Sequence, residues 1–466
     1  MNRYYGREQI FTDEREITKE NVVRVIQDSL KTHRKNKGDI NYLYNYYRGK
    51  HPVRNRVKNI RPDIKNMITE NIANEIVSFK VGYLCGSPIQ YVSGNTKDDV
   101  SEKIDTLNQL MEAKGKSTKD KDLFEWQMIG GTSYRIVLPR AKDFSILSLD
   151  PRYTFVIYRN SIEKEPLAAV YITEATTTKG LVELYTVYTS DTVYEVKDQK
   201  VVSVSKHIMG TVPIIEYPAN NARLGAFEIV LDLMDAIDEI DSDRLDGLQQ
   251  FIQSLMVIYN AHLEDDTANS IREKGLIELK SVGDAKADIK IISEQLNQDQ
   301  TQTLKKDIMQ RIREIVGLPS QGDGTTGDSS NNGAAFLKNG WENAETRAKE
   351  SEIMFKQSEQ EFLKIILSIL STKNKLSLNL EDIDIRFTRR NYENIQVKSQ
   401  VLTTMLSNDK IAPKLAFQSC GLFIDAEEAY RESKEYYDRR VEQPTIESGE
   451  NSSEIPEERR DFGQST

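Results

Sequence analysis

The chain has 466 residues, 73 of them acidic and 63 basic, for a formal net charge of −10. At 38% hydrophobic and 29% charged it is long enough for several lobes around a sizeable core. No apolar run reaches the roughly 18 residues of a membrane span, and MNRYYGREQI at the N-terminus lacks a secretory signal pattern. An acidic balance argues against tight DNA wrapping, whose affinity comes from neutralising phosphates. It is compatible with a duplex that slides past. The two cysteines, Cys85 and Cys420, read as free thiols in a reducing cytoplasm.

In chain order, the first 80 residues predict helix. Thr18 caps a helix carrying Val22, Val23, Ile26 and Leu30 at helical spacing. Asp39 caps a second, shorter one with Ile40, Leu43, Tyr44 and Tyr47, ended by Gly49 and Pro52. Ile64, Ile68, Ile72 and Ile76 recur every four residues and predict a helix over Pro62–Phe79. From Ser133 to Tyr217 the pattern turns to short runs rich in β-branched and aromatic residues, at 134–138, 155–158, 168–172, 181–188 and 201–204. These predict an antiparallel sheet, because no helix-length gap separates them.

Helix returns from Ala226 to about His262, with apolar stripes Phe227–Ile240 and Leu248–Ile258 and a polar stretch at Asp241–Arg244 that can bend it. A β-like insert follows at 275–279 and 288–292, then a helix over Ser293–Val316. The stretch SQGDGTTGDSSNNG at 320–333 contains no apolar residue, so linker and functional loop are both open readings. Next, Trp341, Ala348, Phe355, Phe362 and Ile369 recur every seven residues beside Ala344, Ser351 and Ser358, the seam of a helix roughly 48 Å long. A strand at 383–388 and a helical C-terminal lobe complete the chain. Gly421 is a helix stop there, Asp425 with Glu428 a capping box, and the acidic chain from Glu442 is expected to be disordered.

Three features suggest chemistry. The carboxylates Asp232, Asp235, Asp238, Glu239, Asp241, Asp243 and Asp246 are numerous enough for a divalent cation, but their spacing fits no EF-hand loop and scatters around a helix. A solvated acidic face is the plainer reading. Gly115-Lys116-Ser117 resembles the end of a phosphate-binding loop, but position 110 is Leu and the preceding residues read as helix, so ATP binding is rejected. The stretch from Arg48 to Lys65 holds seven Lys/Arg against one acid, after Tyr42, Tyr44, Tyr46 and Tyr47. It reads as single-stranded nucleic-acid binding or as a solvated or intersubunit loop. The four histidines show no metal spacing, GGTSY at 130–134 is no nucleophile elbow, and no catalytic, metal or cofactor set emerges.

Five segments in order carry a resemblance: YYRGKHPVRNRV (46–57), NEIVSFKVGYLCGSPIQYVSG (74–94), LDPRYTFVIYRNSIEKEPLAAVYI (149–172), HIMGTVPIIEYPANNARLGAFE (207–228) and LMDAIDEIDSDRLDGLQQF (233–251). Together they resemble the portal (connector) proteins of tailed double-stranded DNA phages, of the type in siphophages of Gram-positive bacteria. The resemblance implies a mainly helical α+β portal fold with an antiparallel sheet in the wing. It implies a wing over 1–225, a wing/stem helix 226–262, a clip 263–292, a second stem helix 293–316, a tunnel loop 317–335, a long wing helix and strand 336–390, a crown 391–440 and an acidic tail 441–466.

It further implies a homododecameric ring at one capsid vertex, assembled in the host cytoplasm, through which the DNA duplex is packaged and ejected. The tunnel loop would place Gln321, Asp323, Thr325, Thr326, Asp328, Asn331 and Asn332 in the channel. Lys305, Lys306, Arg311 and Arg313 are candidates for the channel-lining stem. Arg272, Lys274, Lys280, Asp284 and Lys286 of the clip are candidates for docking the terminase large subunit and then the head-completion adaptor. Scaffold and major capsid proteins are the other expected partners, and no membrane is. In that setting the Arg48–Lys65 stretch becomes an intersubunit surface. The competing readings are a metal-dependent nucleic-acid enzyme using the 232–246 carboxylates, or another minor virion protein.

Overall fold

The computed structural model describes residues 6–58, 62–93, 98–141, 143–177, 180–252, 255–259, 288–292, 298–319, 341–373, 375–389, 395–423 and 426–442. They form two units, 1–393 and 394–466, each treated by itself. The class is mixed α+β. The tunnel-loop residues, the five clip residues, strand 275–279, Asp425 and the chain after Glu442 lie outside the described residues.

Helix α1 (Val22–Tyr47) is one continuous helix, not two. Val22, Val25, Ile26 and Leu30 bury its first half and Ile40, Leu43 and Tyr46 its last. The charged middle, which suggested a break at Asp39, is kept helical because His33 and Asn36 are buried there with partners. His33 Nε2 donates to the Arg152 carbonyl at 3.2 Å, and Asn36 Nδ2 donates to that of Glu8 at 2.8 Å. Asn21, not Thr18, occupies the N-cap.

Strands β1 (Ile10–Thr12), β5 (Thr154–Arg159), β6 (Pro166–Thr177), β7 (Gly180–Tyr188), β8 (Thr192–Lys197) and β9 (Lys200–Lys206) form a six-stranded sheet in the order β1-β5-β6-β7-β8-β9. A second sheet, β10-β3-β4, joins β3 (Thr132–Pro139), β4 (Phe144–Leu149) and β10 (Ile214–Pro218). The single antiparallel sheet expected from sequence is therefore two, and β1 pairs parallel with β5. Period-2 side-chain alternation explains the layering. Phe155, Ile157, Val170 and Ile172 face α1, whereas Val156 and Ala169 face Tyr134, Ile136 and Ile214 of the second sheet. The other face of that sheet, with Val137, Phe144, Ile146 and Tyr217, lies in the large helical core. Strands buried on both faces show no polar alternation, so the two sheets merge when read as sequence.

That core holds α2 (Ile72–Cys85), α3 (Asp98–Ala113), α4 (Lys116–Gly130), α5 (Leu231–Ile252), α6 (Gln298–Val316) and α7 (Trp341–Thr372). The heptad seam of α7 is buried at Ala348, Phe355, Phe362 and Ile369, and Leu363, Ile365, Ile366 and Leu370 widen it in the second half. Helix α2 starts at Ile72, not at Pro62 as the apolar period suggested. Helix α5 stops at Ile252, where strand β11 (Leu255–Tyr259) takes over and pairs antiparallel with β12 (Asp288–Ile292). The expected run to His262 is thus replaced by a strand of Leu, Met, Val, Ile and Tyr, residue types that favour a pleated surface. Strand β2 (Gln90–Ser93) pairs with β13 (Ile383–Arg386). The second unit packs α8 (Ile395–Leu406), α9 (Pro413–Cys420) and α10 (Ala426–Glu442) around Phe417, which contacts the rings of Phe423 and Tyr430. Gly421 ends α9 at φ 63°, as expected of a helix stop. Both cysteines are free thiols. Among the described residues no helix is long and apolar enough to cross a membrane.

At the centre of unit 1 four charged side chains are buried together. Lys116 Nζ lies 2.5 Å from Asp120 and 2.9 Å from Glu359, and Arg135 bonds the same two carboxylates, 3.0 Å from Glu359. Tyr91 and Tyr217 donate their hydroxyls to Glu359 at 2.6 and 2.7 Å. Burial alone would raise the Glu359 pKa, but Lys116 and Arg135 outweigh it and hold the group below the ordinary carboxylate value. The set is neutral, and it pins α4, β3, β2, β10 and α7 to one another. Glu359→Ala leaves two buried cations short of a partner, so a loss of about 3–5 kcal/mol is expected in urea unfolding.

His33 gives a pH signature. Burial lowers its pKa from 6.5 to about 4, and its ring lies on Phe155 at 4.5 Å. The folded state binds its proton less readily than the unfolded chain, so this contribution is complete above pH 6.5 and is lost as pH falls toward 4. Thermal melts of wild type should lose stability over that window, and His33→Gln should flatten the dependence there.

Candidate functional site

The residues singled out for chemistry converge on α5. Helix positions 238, 242 and 246 are four apart and so share a face. Asp238 and Asp246, with Ser242 between them, are buried on it. Against that face lies the segment between the basic stretch and α2. The Glu70 N–H donates to Asp238 Oδ1 at 2.8 Å, the Ile68 N–H to Ser242 Oγ at 3.0 Å, and the Asn66 N–H to Asp246 Oδ1 at 2.8 Å. Every second N–H of the segment thus meets every fourth side chain of the helix. Two residues of extended chain advance about 6.6 Å and four of helix about 6.0 Å, so the two repeats nearly match. This explains why the Ile64–Ile76 periodicity does not produce a helix from Pro62. The N–H groups that a helix would use are committed to α5, and α2 begins only where Asn71 accepts from the Asn74 N–H.

The basic stretch supplies the counter-charges. His51 Nδ1 is 2.5 Å from Asp238 Oδ2, and its Nε2 donates to the Tyr46 carbonyl at 3.1 Å. Lys58 lies 2.7 Å and Arg56 3.3 Å from Asp246, and Arg56 also bonds Asp243. Tyr46 donates to Asp235 at 2.8 Å, where burial raises the carboxyl pKa. The solvated acidic face expected from sequence is therefore corrected. Asp232, Glu239 and Asp243 are exposed, but Asp238 and Asp246 are buried and act as acceptors for the 51–70 segment. Their oxygens are committed to protein donors, and among the described residues no group of three metal-ligating side chains forms. Of the basic stretch, Arg48, Lys50 and Arg54 stay exposed.

Helices α5 and α6 run antiparallel, Asp241 bonding Lys305 at 2.8 Å and Arg244 bonding Gln302 at 2.7 Å. The same register continues into β11 and β12, with Leu255 opposite Ile292 and Tyr259 opposite Asp288. Helix pair and strand pair therefore make one two-legged arm. The four stem candidates divide on it. Lys305 bonds Asp241 and Glu70, and Arg313 bonds Glu75 at 2.8 Å. Burial disfavours the Lys305 charge, yet the two carboxylates raise its pKa above the usual value. Lys306 and Arg311 are exposed, and the exposed Asp299, Asp307 and Glu314 leave the exposed side of α6 with one acid in excess.

Gly115 sits at φ 64° between α3 and α4, so a helix precedes Gly115-Lys116-Ser117 where a phosphate loop needs a strand. Lys116 belongs to the buried charge set. Sequence reasoning missed both that set and the 238–242–246 ladder, although Lys116/Asp120 and Asp238/Ser242/Asp246 each carried an i, i+4 signal.

Asp246→Ala removes the acceptor shared by Asn66, Lys58 and Arg56, so a loss of about 3 kcal/mol is expected, as for breaking a buried charge pair. Ser242→Ala should cost about 1 kcal/mol, the worth of one hydrogen bond. Faster proteolysis between Arg56 and Glu70 in Asp246→Ala is the confirming observation, and an unchanged cleavage rate counts against the ladder.

A family model described as phage portal protein, SPP1 Gp6-like, matches residues 27–443. No curated protein matches the chain.

Proposed function

This chain belongs to the family of phage portal proteins of the SPP1 Gp6-like type, and from that premise we propose that twelve copies form the ring through which the duplex enters and leaves the capsid. The observation that carries the reading is the family match over residues 27–443, which takes in both units. A portal is a structural conduit rather than an enzyme. The nucleic-acid-enzyme alternative has fewer of the 232–246 carboxylates to draw on, since Asp238 and Asp246 are bonded to protein donors.

In this proposal the α5/α6 legs are the stem and the β11/β12 end of the arm is the root of the clip. Residues 1–225, with α7 and β13, make the wing, and 391–440 the crown. The 317–335 segment is the tunnel loop. It contains Asp323 and Asp328 and no Lys or Arg, so its contacts with phosphate are weak and brief. Translocation needs an external motor. The terminase large subunit docks on the clip through Arg272, Lys274, Lys280, Asp284 and Lys286, and the head-completion adaptor follows it there. Scaffold and major capsid proteins meet the ring at its vertex in the virion. The exposed side of α6, with two cations against three acids, suits this use, because it offers sliding DNA no clamp.

Negative-stain microscopy of the purified protein should show rings with an open axial pore. Monodisperse monomers at every salt and concentration would overturn the reading. Deleting Gly322–Asn332 should leave the rings intact and lower the amount of DNA packaged. Normally filled heads from that deletion would remove the loop from the mechanism.

A further inference from the structure

The six-stranded sheet ends in two open edges. Among the described residues β9 pairs only with β8, and β1 only with β5. Strand β9 is seven residues long, and Lys200 and Val202 to Lys206 are all exposed. Val202 is 57% exposed, Val204 48% and nearby Ile208 74%. An edge of this length with exposed valines is a template for another strand, and proteins that leave such an edge uncovered aggregate. At the other edge, Phe11 of β1 is 39% exposed.

We infer that the β9 edge of one copy pairs with the β1 edge of the next, so that the sheet runs from subunit to subunit around the ring. This rests on the portal reading, which makes a second copy the constant neighbour. A closed ring of identical subunits needs two different, complementary surfaces on each copy. The two edges of one sheet meet that need, because four strands separate β1 from β9 and place the edges about 24 Å apart, at about 4.8 Å per step.

Charge and face select the pairing. Lys200 and Lys206 flank β9, and among the described residues neither has an ion pair. Glu8, Asp13, Glu14 and Glu16 flank β1. Glu8 is bonded to Lys35 and Glu14 to Arg24, and Asp13 accepts from Asn160. Strands β1 and β9 run the same way in the sheet, so the junction is parallel, and a register with Ser203 opposite Phe11 sets Lys200 against Glu8 and Lys206 against Glu14. It also sets Val204, which shares a face with the core residue Tyr194, opposite Thr12, which lies on the same face as the core residue Ile10 two positions before it. A slip of one residue would put Val204 opposite Phe11 or Asp13 and turn the faces out of match.

The test is disulfide trapping in assembled rings of the full chain. Phe11→Cys with Ser203→Cys should give, on oxidation, a ladder of covalent multimers on a non-reducing gel. The link cannot form within one copy across about 24 Å, since bridged Cα atoms lie within about 7 Å. Each single variant and the wild type, whose own thiols are half-buried at Cys85 and buried at Cys420, should stay monomeric on the gel. Matching thermal melts establish that the variants are folded. Rings that yield no ladder, with Val202→Cys or Val204→Cys tried in place of Ser203→Cys, overturn the edge pairing and leave the portal reading standing. A disulfide dimer from Ser203→Cys alone also overturns it, since that marks like edges meeting. A bond from Ser203→Cys to another virion protein does the same, by making that protein the occupant. Absence of rings in the wild type removes the portal reading and this inference with it.

Discussion

Three backbone N–H groups, of Asn66, Ile68 and Glu70, must find acceptors in a part of the chain that has no strand beside it. Helix α5 meets that requirement with side chains, and much of unit 1 follows. Because the segment is held extended, α2 starts at Ile72 rather than at Pro62. Because Glu70 is fixed at the end of the ladder, its carboxylate reaches Lys305 and ties α6 to the same assembly. Because Asp238 and Asp246 are buried, their oxygens need donors, and the stretch from His51 to Lys58 supplies them. A helix rich in Asp and a stretch rich in Lys and Arg are thereby two halves of one contact.

The same logic, without water, governs the centre of the unit. A buried carboxylate or guanidinium is costly by itself, and a neutral, fully bonded set removes most of that cost. Lys116, Asp120 and Arg135 come from the consecutive elements α4 and β3 and Glu359 from the distant α7, and the tyrosines from β2 and β10 complete the bonding of Glu359. Swapping one of these ions for a neutral group leaves its partners stranded, so the set enforces one packing of α7 against the second sheet. The apolar seam of α7 alone would tolerate sliding by a heptad, and Glu359 does not.

What was legible in the sequence follows from the range of each interaction. The seam of α7, the stop at Gly421, the strands with β-branched runs and the helix before Gly115 depend on neighbours within a few residues, and their patterns are local. The break wrongly expected at Asp39 arose because the polar middle of α1 is rescued by His33 and Asn36, whose acceptors lie elsewhere in the chain. The helix wrongly expected over Pro62–Phe79 had the right apolar period but lost its N–H groups to residues about 175 positions away. Two stacked sheets read as one, since β3 and β10 are covered on both faces and give no alternation. Family membership was legible because the five segments stand in order along the chain, a pattern that needs no knowledge of contacts between distant residues.

The distribution of charge bears on how the conduit proposed above would meet a duplex. An acidic chain with 63 cations offers many possible phosphate contacts, and their number alone would suggest grip. The fold answers otherwise. Arg56, Lys58, Lys305 and Arg313 are bonded to carboxylates of their own chain, and Lys306 and Arg311 share a face with Asp307 and Glu314. A cation paired at 2.7–2.8 Å, as Lys58, Lys305 and Arg313 are, must break that bond before it can hold a phosphate. The free energy available from releasing counterions is then offset at each contact. On the proposed reading these pairings, rather than a scarcity of cations, would keep affinity for the duplex low. A surface of this kind can touch a moving duplex at many points without a deep energy minimum at any of them.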